Sequence, residues 1–358
     1  MSIIRFSNGE INLTDYKNTI PFTLSEYEKT VLDFCLEWLD GKITFQFYTS
    51  GSTGDPKPVT LTRNQMIFSA RLTQKALSLK KCDQALVCLN TNYIAGKMML
   101  VRSLVIGMDM TIVEPSSNPF KNLKNIAIDF IALVPLQIQT ILSTEQGFEI
   151  LNKIQNILIG GAPTSTSLVE KLKNLKGNVY STFGMTETVS HIALCKINGV
   201  IENDFYTVLE GVEINQDARG CLTINSELTN HELVVTNDLV EIINPKEFKF
   251  IGRYDNVINT GGIKVSPELL EKQILPVFHD LDIYTRYIIV GIPDEKFNEV
   301  ICLVLEGQFD EEIIVKIKNR LPEILFEYHI PKKIYFFKHL PEIPTGKIDR
   351  RKVSASFI

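Results

Sequence analysis

The sequence has no apolar run long enough to cross a bilayer, for which about 18 uninterrupted residues are needed. Its most apolar stretch, 126–142, is broken by Asp129, Pro135 and two glutamines. Basic residues are not in excess either, since 37 lysines and arginines stand against 42 acidic residues, a net charge of −5. These absences argue against a membrane-spanning protein and against a generic nucleic-acid-binding protein.

Cysteine is sparse and scattered along the chain. The 6 cysteines include no C-x-x-C pair, so the sequence predicts neither a zinc site nor a disulfide framework. The first ten residues lack a basic segment followed by an apolar one, and no signal peptide is predicted. We therefore expect free thiols and a cytoplasmic location, and the sequence leaves a homo-oligomer open.

Helix and strand signals alternate in the first part of the chain. Capping-box patterns at Ser25–Glu28 and Thr62–Gln65 predict two helix starts. Short apolar runs that predict buried strands occupy 85–89, 109–113, 130–134 and 157–159, with helical segments near 94–106, 135–144 and 165–175. Strands that alternate with helices are typical of parallel βαβ units.

The pattern changes from Ile192, where frequent turn residues predict a mostly antiparallel β region. A helix start at Ser266-Pro267 then opens a compact α+β unit, with strands at 287–290, 300–305 and 333–337 and a helix at 311–320. We expect an α/β protein in which a large N-terminal domain (1–252) combines βα layers with a β-rich subdomain. A small mobile α+β C-terminal domain (253–358) follows.

The segment Tyr48–Val59 concentrates hydroxyls, two glycines and Lys57 between a predicted strand and a predicted helix. Glycines let a backbone approach a ligand closely, and hydroxyls and a cation suit the polyphosphate of a nucleotide. The spacing does not match a Walker A loop. The alternative interpretation is a flexible Ser/Gly linker.

This loop resembles the phosphate loop of the adenylate-forming superfamily of acyl-CoA synthetases, adenylation domains and luciferases. Further segments resemble that family's motifs in the family's order. They are the adenine-side loop 159–163, the Thr-Glu motif 182–188, the ribose motif 236–239 with Asn237 in place of glycine, the hinge 252–265 and the C-terminal lysine motif 344–350.

The resemblance implies an enzyme that joins a carboxylic acid to the α-phosphate of ATP and then transfers the acyl group to coenzyme A. It places at the terminal phosphates the residues Ser50, Ser52, Thr53, Gly54 and Lys57. It places Thr186 at the α-phosphate and Glu187 on Mg²⁺. Around the adenine it places Gly161, Ala162 and Phe183. It places Asp238 and Arg253 at the ribose, Asp255 at the hinge, Gly262 and Lys264 beside the thiol, and Lys347 between the α-phosphate and the carboxylate. Without the resemblance, Glu187 is better explained as an acid in a helical first turn, and Asp238 as a turn residue.

Three passages resemble the o-succinylbenzoate–CoA ligases of menaquinone biosynthesis: 93–102, where Tyr93 replaces a histidine, 183–193 and 256–265. That aromatic acid has two carboxylates, of which one is activated. The other needs a cation to enter a partly apolar pocket. Lys97 and Arg102 are predicted to supply it, and Gly184 and His191 are predicted to line the same pocket. The alternative is that Lys97 and Arg102 lie on a solvated helix face.

Other functions stay open at this point. The acid could be another aryl or short-chain acid, the acceptor could be a carrier protein, or the chain could bind a nucleotide without catalysis. Only 47 residues precede Tyr48, fewer than the family usually has there. We therefore expect a shortened large domain that has lost scaffold rather than catalytic residues.

Overall fold

The structure, a computed structural model, describes residues 2–13, 20, 22–48, 57–121, 123, 127–162, 164, 166–199, 204–342 and 348–357. The helices described are α1 (Glu26–Leu39), α2 (Arg63–Leu77), α3 (Ile94–Ile106), α4 (Pro135–Ile141), α5 (Glu145–Leu151), α6 (Thr166–Lys173), α7 (Pro267–Asp280), α8 (Glu311–Ile324) and α9 (Arg350–Ala355). No helix within these ranges is long and apolar enough to cross a membrane.

The strands fall into two sequence groups, on either side of residue 210. The first group is β1 (Ile3–Phe6), β2 (Gly9–Asn12), β3 (Thr44–Tyr48), β4 (Pro58–Thr62), β5 (Gln84–Val87), β6 (Asp109–Ile112), β7 (Phe130–Leu133), β8 (Asn156–Ile159), β9 (Asn178–Gly184), β10 (His191–Lys196) and β11 (Tyr206–Val208). The second group is β12 (Val212–Gln216), β13 (Cys221–Ser226), β14 (Val234–Asn244), β15 (Glu247–Arg253), β16 (Ile258–Thr260), β17 (Ile263–Val265), β18 (Tyr287–Asp294), β19 (Asn298–Glu306) and β20 (Lys333–Phe337).

The chain forms two compact units. Unit 1 comprises 1–214, 224–234 and 244–247, and unit 2 comprises 215–223, 235–243 and 248–358. Between residues 214 and 248 the chain passes several times from one unit to the other. The sequence, by contrast, predicts a single boundary at residue 252.

Unit 1 is built on a mixed sheet with the strand order β11-β10-β9-β8-β7-β5-β6-β1-β2. Its centre is parallel, since β5 pairs with β6 and β7, and β8 pairs with β7 and β9. The sequence signals for β5 to β8, for α3, α4 and α6, and for both capping boxes are confirmed. The sequence reasoning missed β1, β2, β9 and α5, which are short or lack a regular apolar period.

Unit 2 contains a smaller sheet with the order β17-β16-β19-β18, and β20 joins β19 in parallel. Helices α7 and α8 cover one side through a core that includes Leu270, Ile274 and Ile317. Leu340 and Val353 belong to a second core on β18 and β19. The predicted α/β class, with a smaller α+β part after the βα layers, is confirmed.

One buried carboxylate joins the N-terminal hairpin to α1. Glu28 Oε1 accepts the Ser7 N–H at 2.8 Å, and Glu28 Oε2 accepts the Ser25 N–H at 2.9 Å. Ser25 Oγ in return accepts the Glu28 N–H at 3.2 Å, which completes the capping box. The glutamate therefore fixes both the start of α1 and the turn after β1.

We expect Glu28→Ala to lower the free energy of unfolding by about 2–3 kcal/mol, because two N–H groups lose a charged acceptor. Glu26→Ala is the matched control, since Glu26 lies in the same helical turn with 90% of its side chain exposed. The Glu26→Ala substitution should change the free energy of unfolding by no more than about 0.5 kcal/mol. Urea unfolding of both variants measures the difference, and equal losses would contradict the role given to Glu28.

Candidate active site

The parallel centre of the unit 1 sheet brings two predicted motifs to one edge. Strands β8 and β9 are parallel neighbours that end at Ile159 and Gly184. The segments that follow them, 160–162 and 185–188, therefore leave the same edge of the sheet. Ligands of open α/β sheets bind outside the carboxyl ends of their strands. The predicted adenine and α-phosphate residues thus share one edge.

At two positions on this edge, the backbone geometry requires glycine. Gly161 has φ +85°, a left-handed conformation that side-chain-bearing residues rarely adopt. A Cβ on Gly184 would lie 2.2 Å from the Ser190 carbonyl oxygen, because β9 and β10 approach closely at an irregular pairing. Both glycines leave the edge without side-chain bulk where the sequence predicts a nucleotide and an acid. Ala162, next to Gly161, is half-buried.

Phe183, the predicted adenine-stacking residue, is half-buried on β9. Its ring meets Tyr206 edge to face, with the centroids 5.5 Å apart. The Tyr206 hydroxyl lies 3.0 Å from Ser181 Oγ, and burial raises the pKa of this phenol. Tyr206 therefore remains neutral and holds Phe183 by packing.

Thr186 and Glu187 lie in a short 3₁₀ helix, Thr186–Thr188, directly after β9. Glu187 is exposed, Thr186 is half-buried and Thr188 is buried. Thr188 Oγ1 accepts the Met185 N–H at 3.1 Å and donates to the Ser190 carbonyl at 2.8 Å. This hydroxyl ties the two ends of the turn together, so that the Glu187 carboxylate projects from a fixed backbone.

The turn is closed by an unusual residue. Val189 is fully buried with φ +65° and ψ −47°, and the Ser190 N–H donates to the Thr188 carbonyl at 2.6 Å. These values describe a γ-turn, which a β-branched residue adopts only at a cost in conformational energy. Such strain is found where the backbone must aim a functional side chain. Here the turn directs Ser190 towards α3.

Ser190, which is half-buried, contacts the buried residues Thr73, Arg102 and His191, and we name these four residues the Arg102 cluster. Arg102 Nη2 donates to Ser190 Oγ at 2.6 Å and lies 3.5 Å from His191 Nδ1. Arg102 Nε donates to Thr73 Oγ1 at 3.1 Å, and His191 Nε2 lies 3.1 Å from the same oxygen. Because Thr73 donates its own proton to the Ser69 carbonyl, this oxygen accepts from both Arg102 and His191.

The Arg102 cluster carries a positive charge, and no carboxylate among the described residues pairs with it. Only 2% of Arg102 is exposed, and burial lowers the pKa of its guanidinium to about 9. Burial, and then the Arg102 charge, hold the pKa of His191 well below its usual range. His191 is therefore neutral and Arg102 is the buried cation. A buried cation with only neutral partners favours the arrival of an anion.

Lys97, the other predicted cation, points elsewhere. It lies five residues before Arg102 and is thus about 140° away around the helix. Its Nζ is 4.5 Å from the centre of the Phe34 ring, and burial lowers the pKa of this amine. The structure therefore brings Arg102 and His191 together with each other but not with Lys97. The burial of Arg102 excludes the solvated-face alternative for that residue.

The predicted ribose and hinge residues meet in unit 2. Arg253 Nη1 pairs with the buried carboxylate of Asp238 at 3.1 Å. Its Nε and Nη2 bind the two oxygens of Asp255 at 2.9 and 3.0 Å. One guanidinium thus connects the residue predicted at the ribose with the residue predicted at the hinge.

Asn237, where the sequence departs from the family pattern, is bound by a nearby arginine. Arg219 Nη1 donates to Asn237 Oδ1 at 2.9 Å, and Arg219 Nη2 donates to the Thr236 carbonyl at 3.0 Å. The Arg219 guanidinium also lies over the Tyr254 ring, 5.0 Å from its centre. Asn237 is thereby held by a side chain, which a glycine at this position would not allow.

Gly262 and Lys264 are exposed at a two-residue hairpin between β16 and β17. Gly261 and Gly262 have φ values of +60° and +86°, as a primed hairpin turn requires. Lys57 is exposed directly before β4, which pairs with β3. Ser50, Ser52, Thr53, Gly54 and Lys347 lie outside the described residues, and their roles stay predictions.

Thr73, Ser190, Tyr206 and Arg219 were not assigned roles from the sequence. Ser190 stands inside the passage 183–193, two residues after the Thr-Glu motif, so its neighbourhood was available as a signal. Thr73 and Arg219 are far from the motifs they support, 29 residues from Arg102 and 18 residues from Asn237. Only the folded chain reveals these two contacts.

The neutral, buried His191 predicts a pH dependence of stability. Its pKa is lower in the folded chain than the unfolded value of about 6.5, so the unfolded state binds more protons in acid. Stability should be lost as the pH falls below about 6.5, at up to about 1.4 kcal/mol per pH unit. Urea unfolding at several pH values should show a steeper acid loss for the wild type than for His191→Gln.

His339→Gln serves as the control for this experiment, because 80% of the His339 side chain is exposed. Its unfolding free energy should follow the wild-type pH profile. Identical profiles for all three proteins would contradict a neutral, buried His191.

Comparisons with known proteins confirm the predicted family. A family model described as AMP-binding enzyme matches residues 36–214, half of the chain. The 2-succinylbenzoate–CoA ligase of Staphylococcus epidermidis (ATCC 35984) is 28% identical over 336 residues, which cover 86% of this chain and 69% of that protein. The same-named protein of Listeria innocua is 27% identical over 347 residues, with coverages of 90% and 72%.

Two solved structures extend the comparison. An acyl-CoA synthetase (AMP-forming)/AMP-acid ligase II-like protein from Dyadobacter fermentans is 40% identical with a TM-score of 0.63, covering 94% of this chain and 96% of its own. The o-succinylbenzoate coenzyme A synthetase of Bacillus subtilis, in complex with ATP and magnesium ion, has a TM-score of 0.69 at 22% identity, with coverages of 86% and 69%. This second likeness shows the fold alone. The chain belongs to the AMP-binding enzyme family and is an acid–thiol ligase of the acyl-CoA synthetase type.

Proposed function

We propose that this enzyme converts o-succinylbenzoate to o-succinylbenzoyl-CoA in menaquinone biosynthesis, with ATP as the activating substrate. The observation that carries the choice of acid is the Arg102 cluster, a buried cation surrounded by neutral partners. A monocarboxylic acid has only the carboxylate that is activated, so it has none left to pair with Arg102. A dicarboxylic acid retains a second carboxylate, which Arg102 would bind with Ser190 and His191 as neighbours. The names of the Staphylococcus and Listeria relatives support the same acid.

The reaction has two steps. A carboxylate oxygen of the acid attacks the α-phosphorus of ATP, and the bond to the leaving pyrophosphate breaks. The sulfur of coenzyme A then attacks the acyl carbon, AMP leaves with the bonding electron pair, and the thiol proton goes to solvent. In the first step two anions approach each other, so fixed positive charge and hydrogen-bond donors near the α-phosphate lower the barrier.

The residues at the sheet edge fit a nucleotide and its metal. Gly161 and Gly184 leave the backbone accessible, Phe183 offers a ring face to the adenine, and the Thr186 hydroxyl would contact the α-phosphate. Glu187 presents an exposed hard-oxygen ligand of the kind that Mg²⁺ prefers. Bound Mg²⁺ would neutralise phosphate charge. Among the described residues no group of three or more His, Cys, Asp and Glu side chains is placed to hold a metal ion. Mg²⁺ usually takes few ligands from protein.

The remaining predicted roles complete the proposal. Asp238, fixed by Arg253, would accept hydrogen bonds from both ribose hydroxyls. Lys57 and the loop 49–56 would bind the terminal phosphates, and Lys347 would carry positive charge to the α-phosphate and the carboxylate. Asp255 would serve as the hinge of a mobile C-terminal domain (253–358), and Gly262 and Lys264 would lie beside the incoming thiol.

A panel of carboxylic acids tests the substrate directly. ATP- and CoA-dependent release of AMP is measured with o-succinylbenzoate, with simple aryl acids and with short-chain acids. We expect o-succinylbenzoate to have the highest kcat/KM. A higher value for a monocarboxylic acid would overturn the choice of acid, and no AMP release with any acid would overturn the proposed activity.

Arg102→Met should raise the KM for o-succinylbenzoate by about 10- to 100-fold, as expected for the loss of a charged hydrogen bond. The KM for ATP should be unchanged. The matched ligand is 4-oxo-4-phenylbutanoate, which lacks only the ring carboxylate and should lose little affinity. Without substrate, the melting temperature should not fall, because the variant removes an uncompensated buried cation. Equal KM changes for both acids would remove Arg102 from the carboxylate site.

Lys347→Ala should slow acyl-adenylate formation by on the order of 10²–10³-fold, the usual effect of losing one electrostatic contact in a transition state. Thioester formation from supplied acyl-adenylate should be nearly unchanged. Lys338→Ala, which removes an exposed lysine of the same unit, is the control and should affect neither step. Equal losses in the two half-reactions would contradict the role given to Lys347.

A further inference from the structure

Helix α2 presents a row of polar side chains to the interior of unit 1. Gln65, Ser69 and Thr73 follow one another at intervals of four residues, so they lie on one face of the helix, and all three are buried. A helix face that served packing alone would carry apolar side chains. Gln65 is explained locally, because it completes the capping box and its Nε2 donates to the Leu228 carbonyl at 2.7 Å. Thr73 has no such local explanation.

The Thr73 hydroxyl joins two side chains of the Arg102 cluster. Its oxygen accepts from Arg102 Nε at 3.1 Å and lies 3.1 Å from His191 Nε2, while its proton goes to the Ser69 carbonyl at 3.1 Å. A hydroxyl has one proton to donate and two lone pairs to accept with. All three positions are used here, so Thr73 has no hydrogen bond left for a ligand. Any effect of Thr73 on a ligand must therefore pass through its two partners.

The first partner is the Arg102 guanidinium, which is held along one edge. Nε donates to Thr73 and Nη2 donates to Ser190 Oγ at 2.6 Å. Because a guanidinium is a rigid plane, two hydrogen bonds along one edge fix both its plane and its rotation. Within the part of the chain that the structure describes, Nη1 makes no hydrogen bond. The two N–H groups of Nη1 are therefore those that a carboxylate would meet.

The second partner is the neutral imidazole of His191, whose tautomer the cluster determines. Nδ1 lies 3.5 Å from Arg102 Nη2 and 3.4 Å from Ser190 Oγ. Since a guanidinium can only donate, Nδ1 must be the nitrogen without a proton. The proton is then on Nε2, where Thr73 accepts it. Thr73 thus fixes the orientation of one partner and the tautomer of the other.

We propose that Thr73 is a positioning residue for the second carboxylate of the acid substrate. It acts by holding Arg102 with Nη1 open to the carboxylate and by keeping the His191 proton on Nε2. The inference rests on the proposed function, in which Arg102 binds that carboxylate. Without the hydroxyl, Arg102 Nε and His191 Nε2 would both lack an acceptor and would turn towards others. A displacement of about 1 Å in a positioned group can cost about 100-fold in rate.

The experiment compares Thr73→Val and Thr73→Ser with Thr30→Val as the matched control. Valine has the shape of threonine without the hydroxyl, and serine keeps the hydroxyl without the methyl group. Thr30 is exposed on α1, and its hydroxyl also donates to a carbonyl four residues earlier, that of Glu26 at 3.0 Å. For each protein, kcat and KM are measured with o-succinylbenzoate, with 4-oxo-4-phenylbutanoate and with ATP.

Thr73→Val should raise the KM for o-succinylbenzoate about tenfold or more, because the charged contact is misplaced. The KM values for 4-oxo-4-phenylbutanoate and for ATP should stay within about twofold of the wild type, since neither ligand offers the second carboxylate. Thr73→Ser should restore most of the loss, and Thr30→Val should behave as the wild type. An equal rise for both acids, or an unchanged KM for o-succinylbenzoate, would overturn the proposal.

A double-mutant cycle identifies the residue through which Thr73 acts. In an Arg102→Met background, Thr73→Val should cause no further rise in the KM for o-succinylbenzoate. A full additional tenfold rise would show that Thr73 acts independently of Arg102 and would overturn the proposal.

A measurement on the wild-type chain keeps the proposal testable if Thr73→Val does not fold. The ¹⁵N NMR shifts of the His191 ring at neutral pH, assigned by their absence in His191→Gln, report which nitrogen carries the proton. We expect a neutral ring with its proton on Nε2. A proton on Nδ1, or a charged ring, would overturn the proposal. Failure of the proposed function is seen separately, in the wild-type chain, as no AMP release with any acid or as a preference for a monocarboxylic acid.

Discussion

Parallel pairing of β7, β8 and β9 is the constraint on which the candidate site depends. Parallel strands end at the same edge, so the loops after β8 and β9 must lie side by side whatever their sequence separation. The irregular pairing of β9 with β10 then turns the chain back within a few residues. As a result, His191 pairs with Gly184, at the end of β9 that leads into Thr186 and Glu187.

The enclosed arginines of this protein have two kinds of partner. Arg253 and Arg350 have carboxylate partners, which compensate their charge and fix neighbouring backbone. Arg102 has hydroxyl and imidazole partners, and burial lowers its pKa. An arginine that only held the fold together would be better stabilised by a carboxylate or replaced by an apolar side chain. The difference separates arginines whose charge a carboxylate compensates from one whose described partners are all neutral.

Much of the fold followed from local signals. Capping boxes at Ser25 and Thr62 mark helix starts because their side chains satisfy N–H groups that the helix itself leaves free. Buried parallel strands read as short apolar runs. Helix α3 was located correctly, but the direction of Arg102 was not predictable. Most of α3 is buried, so its sequence has no polar face that would orient the helix.

The sequence by itself determined the family, the α/β class and the order of the nucleotide motifs, because each motif is a contiguous run of residues with its own chemistry. Tertiary structure decided which side chains share an environment. Arg102 meets Ser190 across 88 residues, and Arg350 meets Glu271 across 79. Such contacts depend on strand order and helix packing, which local propensity does not encode. The same packing sets the burial that makes His191 neutral and leaves Arg102 as a cation with no carboxylate partner in the part of the chain that the structure describes.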